Sequence, residues 1–307
     1  MASITTTSSS AADKTLHGGL IAGLAAYLLW GFLPIVFKLL DGVPSATIVA
    51  DRTIWSLVFV GVILVVSGRT AEIRAALADP VTLRSMLISS LLLAVNWLVY
   101  VWAVETGQVL EASFGYFINP LVNVAIGMTF LGERQNRWQT VAIAIAVVAI
   151  AIQALGIGGV PYIALSLAVT FAAYGYFRKT AQVSSATGLF VETLLLLPLA
   201  GGYLIFTFMR DGGLGPHADP YFLGMLLLTG PATALPLLLF AFAIQRLRLT
   251  TIGMLQYLAP SIAFLLAITL FGEELNATRL VSFGLIWLSL IVYTADSYLR
   301  RRSRVAA

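Results

Sequence analysis

Asn119-Pro120, followed by Leu131-Gly132-Glu133, returns in the second half of the chain as Ala259-Pro260, followed by Phe271-Gly272-Glu273, and the offset is 140 residues throughout. Both copies lie in long apolar runs, and each half holds five such runs. After an odd number of crossings the second copy enters a membrane from the opposite side, and two inverted halves around one midplane is an arrangement used by membrane transporters. The repeat extends further. Asn96-Trp97-Leu98-Val99-Tyr100-Val101-Trp102-Ala103 faces Pro236-Leu237-Leu238-Leu239-Phe240-Ala241-Phe242-Ala243 at the same offset, and Trp30-Gly31 has a counterpart in Tyr174-Gly175, shifted by four.

Composition fixes the solvent. With 307 residues, 59% of them hydrophobic, 10% charged and a mean hydropathy of +0.94, the chain has too little polar surface to cover a water-soluble globule. A spanning helix needs about 20 mostly apolar residues, and candidates lie near 18–40, 46–67, 84–104, 111–131, 138–156, 159–178, 187–208, 222–244, 251–271 and 277–297. The expected fold is all-α: a polytopic membrane protein of ten transmembrane helices built as two inverted five-helix repeats. Residues 1–15, rich in Ser, Thr and Ala, read as a disordered cytoplasmic tail. Residues 16–156 form the first repeat, 157–299 the second, and 300–307 a basic cytoplasmic tail. The first run is too long, and its polar leader too poor in basic residues, for a cleaved signal peptide.

Basic residues stay on the cytoplasmic side, so their placement tests the span count. With both termini inside, 14 of the 18 Lys and Arg residues fall in cytoplasmic segments; Lys38, Arg210 and Arg279 lie outside, and Arg52 is left within a span. The net charge of +4 thus follows from topology, and no basic face points to nucleic acid. The absence of cysteine excludes disulfides, thiolate metal sites and Cys nucleophiles. His17 and His217 fall at a helix edge and in a loop and read as solvated. No cofactor or metal is called for.

The chemistry concentrates where helices are interrupted. A mid-helix proline removes the hydrogen bond to the carbonyl four residues earlier, and in a bilayer that carbonyl needs a partner or a cavity. Pro120 frees the carbonyl of Tyr116, Pro260 that of Gln256, and Pro34 that of Trp30. Tyr116, Asn119 and Asn123 share one face of span four, and Gln256, Tyr257 and Ser261 do similar duty in span nine. With Trp30, Asn96, Trp97, Tyr100 and Tyr174 they make an aromatic and amide set suited to amphipathic or zwitterionic organic solutes. The same residues also fit kinks whose polar side chains bond between helices.

Charged residues inside spans are costly. Asp51 and Arg52 in span two and Glu192 in span seven occupy near-equivalent places, toward opposite faces, each roughly 7 Å of helix rise from its interface. They fit local pairing or snorkelling, or a gating or coupling role on alternate sides. Lys38 ends span one. Glu133 and Glu273 follow helix-ending glycines and tie a short loop to an adjacent helix.

The run Glu111-Ala-Ser-Phe-Gly-Tyr-Phe-Ile-Asn-Pro-Leu-Val-Asn, ending in Phe130-Leu-Gly-Glu133, with Tyr27-Leu-Leu-Trp-Gly31, Asp51-Arg-Thr-Ile-Trp-Ser56 and Gln256-Tyr-Leu-Ala-Pro260, resembles the drug/metabolite transporter superfamily, EamA-type, RarD-like branch. The likeness covers essentially the whole chain. It implies a bacterial inner-membrane protein that exports small metabolites or drugs through a central cavity. Ala259 replaces the amide of Asn119, so the halves need not bind the same group. The expectation is a secondary transporter, not an enzyme, working by alternating access on a small amphipathic solute such as an amino acid or drug-like molecule, as a monomer or homodimer in the lipid bilayer. No Walker-type loop is present for ATP drive. Proton coupling through Asp51 or Glu192 and passive facilitation both fit. A channel is the alternative; an intramembrane enzyme lacks its catalytic groups.

Overall fold

The computed structural model describes residues 4–105, 109–155, 162–270 and 277–305. Side chains of 4–14, 104–105, 109–114 and 300–305, and single positions including Pro34, lie outside that description. Among the described residues every regular element is a helix.

Each expected span is present: α1 (Ile4–Lys38), α2 (Ser45–Val66), α4 (Pro80–Glu105), α5 (Val109–Phe130), α6 (Arg137–Ala154), α7 (Tyr162–Thr180), α8 (Ser185–Asp211), α9 (Pro220–Ile244), the pair α10 (Leu249–Gln256) and α11 (Leu258–Thr269), and α12 (Ala277–Val305). Among the described residues, five helices, Thr15–Leu33, Ser45–Val66, Pro80–Tyr100, Ser185–Asp211 and Pro220–Ile244, are long and apolar enough to cross a bilayer by length and composition alone. α1 reaches back to Ile4, through the stretch for which the sequence predicts a disordered tail, and α12 runs through most of the basic C-terminal segment. The loop after span two holds a short helix, α3 (Thr70–Ala78), and the loop after span seven a 3-10 turn, Gly215–Ala218.

Spans three and eight begin alike. Asp79 Oδ2 accepts from the Thr82 amide at 2.9 Å, and Asp219 Oδ1 from the Tyr221 amide at 2.7 Å, each just before a proline at the first helical position. A capping aspartate supplies an acceptor for an orphan amide, and proline at that position lacks the N–H that would be orphaned. The two Asp-Pro pairs are 140 residues apart.

The prolines at the centre act differently in the two halves. Pro120 sits inside an unbroken α5, whereas three residues before Pro260 the regular α-helical hydrogen bonding is interrupted at Tyr257, whose backbone stays right-handed helical (φ −63°, ψ −15°), and span nine divides into α10 and α11. On the backbone α1 passes position 34 without a break, and the Pro34 side chain lies outside the described residues.

Packing divides the chain into two compact units, Met1–Val101 with Ala173–Leu247, and Trp102–Ala172 with Arg248–Ala307. Each unit draws on both halves of the sequence. In the first, α2 packs on α8 and α9, α1 on α9, and α3 on α8; in the second, α12 packs on α6 and α10 on α5. Three of these pairs, α2 with α8, α5 with α10 and α6 with α12, join repeat-equivalent spans. The α5–α10 approach is close because Gly253 lacks a side chain: a Cβ there would stand 2.6 Å from the Pro120 carbonyl oxygen. The second unit's core gathers Phe117, Ala142, Ala146, Tyr257, Phe283 and Ile286.

Candidate functional site

In the first unit the residues expected to matter fall into three sets on α1, α2, α4, α7, α8 and α9. The first is built around Asp51. Its side chain is buried, and its carboxylate accepts from Trp55 Nε1 at 3.1 Å on one oxygen. The other oxygen meets His217 Nε2 at 2.9 Å. The 3-10 turn at Gly215–Ala218 carries that imidazole back onto the start of α2. His217 is therefore not solvated as its loop position predicts; its side chain is 23% exposed and its ring is held at both ends, Nδ1 lying 3.2 Å from the Leu214 carbonyl. The topology puts the loop 209–221 and the start of span two at one face, which was the available signal for this pairing.

Arg52, next in the chain, faces other partners. Its Nε donates to Thr233 Oγ1 of α9 at 3.2 Å, and its guanidinium carbon lies 4.6 Å from the centroid of the Trp97 ring on α4. Stacking on an indole face stabilises a cation in a poorly solvated place. Trp97 and Tyr100 are half-buried and Asn96 is buried. Deeper in this unit, Trp30 and Tyr174 both pack against Phe240, with ring centroids 5.6 and 6.3 Å away, and Tyr27 completes the group at 5.5 Å from Trp30. The two aromatics that the shifted repeat relates thus share a partner.

Glu192 anchors the third set. Its oxygens accept from Ser89 Oγ at 2.5 Å and Tyr174 Oη at 3.4 Å, and Arg178 Nη1 stands 3.8 Å away, with both charged side chains fully buried. Arg178 also donates from Nη2 to the Ser185 carbonyl at 3.1 Å. It has room because residue 188 is glycine; a Cβ there would collide with the guanidinium. Arg178 sits in the last turn of α7, where a basic residue carries only the signal of an interface marker in the sequence. At this same end, Glu72 of α3 accepts from Arg69 at 2.7 Å, Thr187 Oγ1 at 2.7 Å and Ser184 Oγ at 2.9 Å. These hydrogen bonds, that of Arg69 first, hold its carboxyl down at about 2.

In the second unit the amides bond to one another. Asn119 Nδ2 donates to the Ala168 carbonyl of α7 at 2.8 Å, and Asn123 Nδ2 donates to Asn119 Oδ1 at 3.1 Å and to Gln256 Oε1 at 2.9 Å. The set ties α5 to α7 and to α10 beside the break in span nine. Tyr257 is buried there, and Tyr116 is 45% exposed. Glu133 caps α10 from the loop between α5 and α6: its oxygens accept from the Leu249 amide at 2.6 Å and the Thr250 amide at 3.0 Å. That is the tie between loop and adjacent helix expected of it, after Gly132 ends α5 with φ of +64°. Glu273 lies outside the described residues.

Comparison with known proteins agrees with this architecture. Residues 17–155 match the EamA-like transporter family. The chain is 40% identical to Protein RarD of Escherichia coli (strain K12) over 94% of its own length and 98% of the relative's. It is 42% identical to an uncharacterized transporter of Pseudomonas aeruginosa, covering 94% and 96%. A second Pseudomonas aeruginosa protein, named chloramphenicol-sensitive protein RarD, is 29% identical over 93% of this chain and 97% of that one. A crystal structure at 18% identity superposes with a TM-score of 0.71 over 90% of this chain and 97% of the other, a likeness of fold. Identity of about 40% along nearly the full length of both chains places this protein among the RarD-type membrane transporters of the EamA-like family.

Proposed function

We propose that this transporter exports a small amphipathic organic solute, an amino acid or a drug-like molecule, across the bacterial inner membrane by alternating access, with both termini in the cytoplasm. The arrangement at Arg52 carries the reading. A guanidinium inside a span, laid on the Trp97 indole and steadied by Thr233, offers a charge and a ring face together. That combination suits a solute with an acidic group and an apolar body, since guanidinium donors match a carboxylate in a fork and the ring takes the apolar part. Asn96 and Tyr100 lie on the same helix as Trp97, and the same unit holds a separate aromatic group of Trp30 and Tyr174 against Phe240. The skew of basic residues toward one set of loops supports the orientation, and the name of the chloramphenicol-sensitive relative supports the drug-like class.

The test is efflux from proteoliposomes loaded in turn with chloramphenicol and a panel of amino acids. The expected result is saturable flux and counter-transport for at least one solute, reduced about tenfold or more in Arg52→Gln, the order expected for one lost charge-assisted hydrogen bond. Normal flux in both Arg52→Gln and Trp97→Ala, or unitary conductance in place of saturation, overturns the reading.

A further inference from the structure

His217 is flanked by two acceptors, the Asp51 carboxylate at Nε2 and the Leu214 carbonyl at Nδ1. A neutral imidazole has one N–H and can satisfy only one of them; both contacts are hydrogen bonds only when both ring nitrogens carry protons. Asp51 needs that second donor, because it is buried and its other oxygen is already taken by Trp55. Histidine is also the side chain whose charge ordinarily changes between about pH 5 and 8. From this geometry we infer that the Asp51–His217 pair is a proton-binding site, and that the bound proton latches the segment between α8 and α9 over the start of α2. With the proton on, an imidazolium bridges the carboxylate and the carbonyl. With it off, one bridge is lost, the carboxylate keeps at most a neutral partner, and the segment is released. A proton taken from the solvent at this end therefore closes this end. This is the step that proton-driven exchange requires, so the inference rests on the transport reading above and names its coupling ion.

The surrounding charges do not supply the switch themselves. On α2, Arg52 is turned to Thr233 and Trp97. On α8, Arg210 and Asp211 pair with each other at 2.7 Å, and on α9, Asp219 caps its own helix. Lys38 and Asp41, at the end of α1 and in the loop after it, are exposed.

The chain has no cysteine, so spin-label pairs can be placed without background. One pair, Leu39→Cys with Gly213→Cys, brackets the latch; a control pair, Arg74→Cys with Gln182→Cys, brackets the other end. Distances are measured by pulsed electron resonance in nanodiscs from pH 5 to 8, with no solute added. The expected result is a 39–213 separation that lengthens as pH rises, while the 74–182 separation stays fixed. In His217→Gln, which keeps a single donor, the dependence is lost. A 39–213 distance that is flat in the otherwise unaltered chain, or a dependence that survives in His217→Gln, overturns the inference. The readout needs no transported solute. A latch that titrates in a protein with no measurable efflux sinks only the transport reading, and efflux with a latch that does not titrate sinks only this one.

Discussion

Asp51 on α2 and Glu192 on α8 stand at near-equivalent places of the repeat, yet they are neutralised in opposite ways. Glu192 meets an arginine, Arg178, from inside the bundle; both are fully buried, and Ser89 and Tyr174 complete the shell. Asp51 meets a histidine delivered by a loop, and that histidine is partly open to solvent. An arginine remains charged at any physiological pH, whereas a histidine does not. The inverted repeat thus has one end fastened by a permanent ion pair and another fastened by a pair that a proton can make or break. Duplication supplied two similar carboxylates, and their partners made the two ends unlike.

The largest effect should come from breaking the permanent pair. Arg178→Ala leaves Glu192 charged and buried, a loss of roughly 3–5 kcal/mol, and thermal unfolding in detergent should show a collapse in stability that Glu192→Gln in the same background partly restores. Gly188→Ala tests the same end by crowding: the new methyl displaces the Arg178 guanidinium, at a cost of about 1–3 kcal/mol. If Gly188→Ala unfolds no earlier than the unaltered protein, the tight seat described for Arg178 is wrong.

His217→Gln is the matching change at the other end. It keeps one donor to Asp51 and lies at a partly exposed site, so the stability loss should be only about 0.5–1 kcal/mol, while the pH response of that end disappears. The smallest effect belongs to Glu72. Its folded carboxyl is held at about 2 against an ordinary value of 4.5, so its contribution is complete above 4.5 and is lost as pH falls toward 2. Because the pair with Arg69 is solvent-exposed, that contribution is a few tenths of a kcal/mol. Melting curves with and without Glu72→Gln should converge as pH drops below about 4, and should keep a constant gap between pH 5 and 8.

Much of the fold could be read before any coordinates, for a physical reason: bilayer thickness sets span length, and proline and glycine mark interruptions whatever the tertiary context. Both prolines at the repeat centre were visible, but not that span nine divides three residues before Pro260 while α5 runs through Pro120, because both carry the same local proline signal. The site was legible in its residue types and less so in its pairings. Arg52 with Trp97 and the Asn119–Asn123–Gln256 amides were named individually, and only packing shows which bond to one another. Arg178 reads as an interface marker and His217 as solvated because a residue at a helix end or in a loop carries no local mark of the carboxylate it will meet across the fold.

The most direct test of the unlike ends is to observe the proton itself. In His17→Asn, His217 is the sole imidazole in the chain, so its ring nitrogens can be followed by nitrogen NMR in membranes without ambiguity. Two protonated ring nitrogens are expected while the latch is closed, with one proton lost as pH rises and the 39–213 separation lengthens. A ring that stays singly protonated throughout, or that titrates while that separation stays fixed, would contradict that expectation.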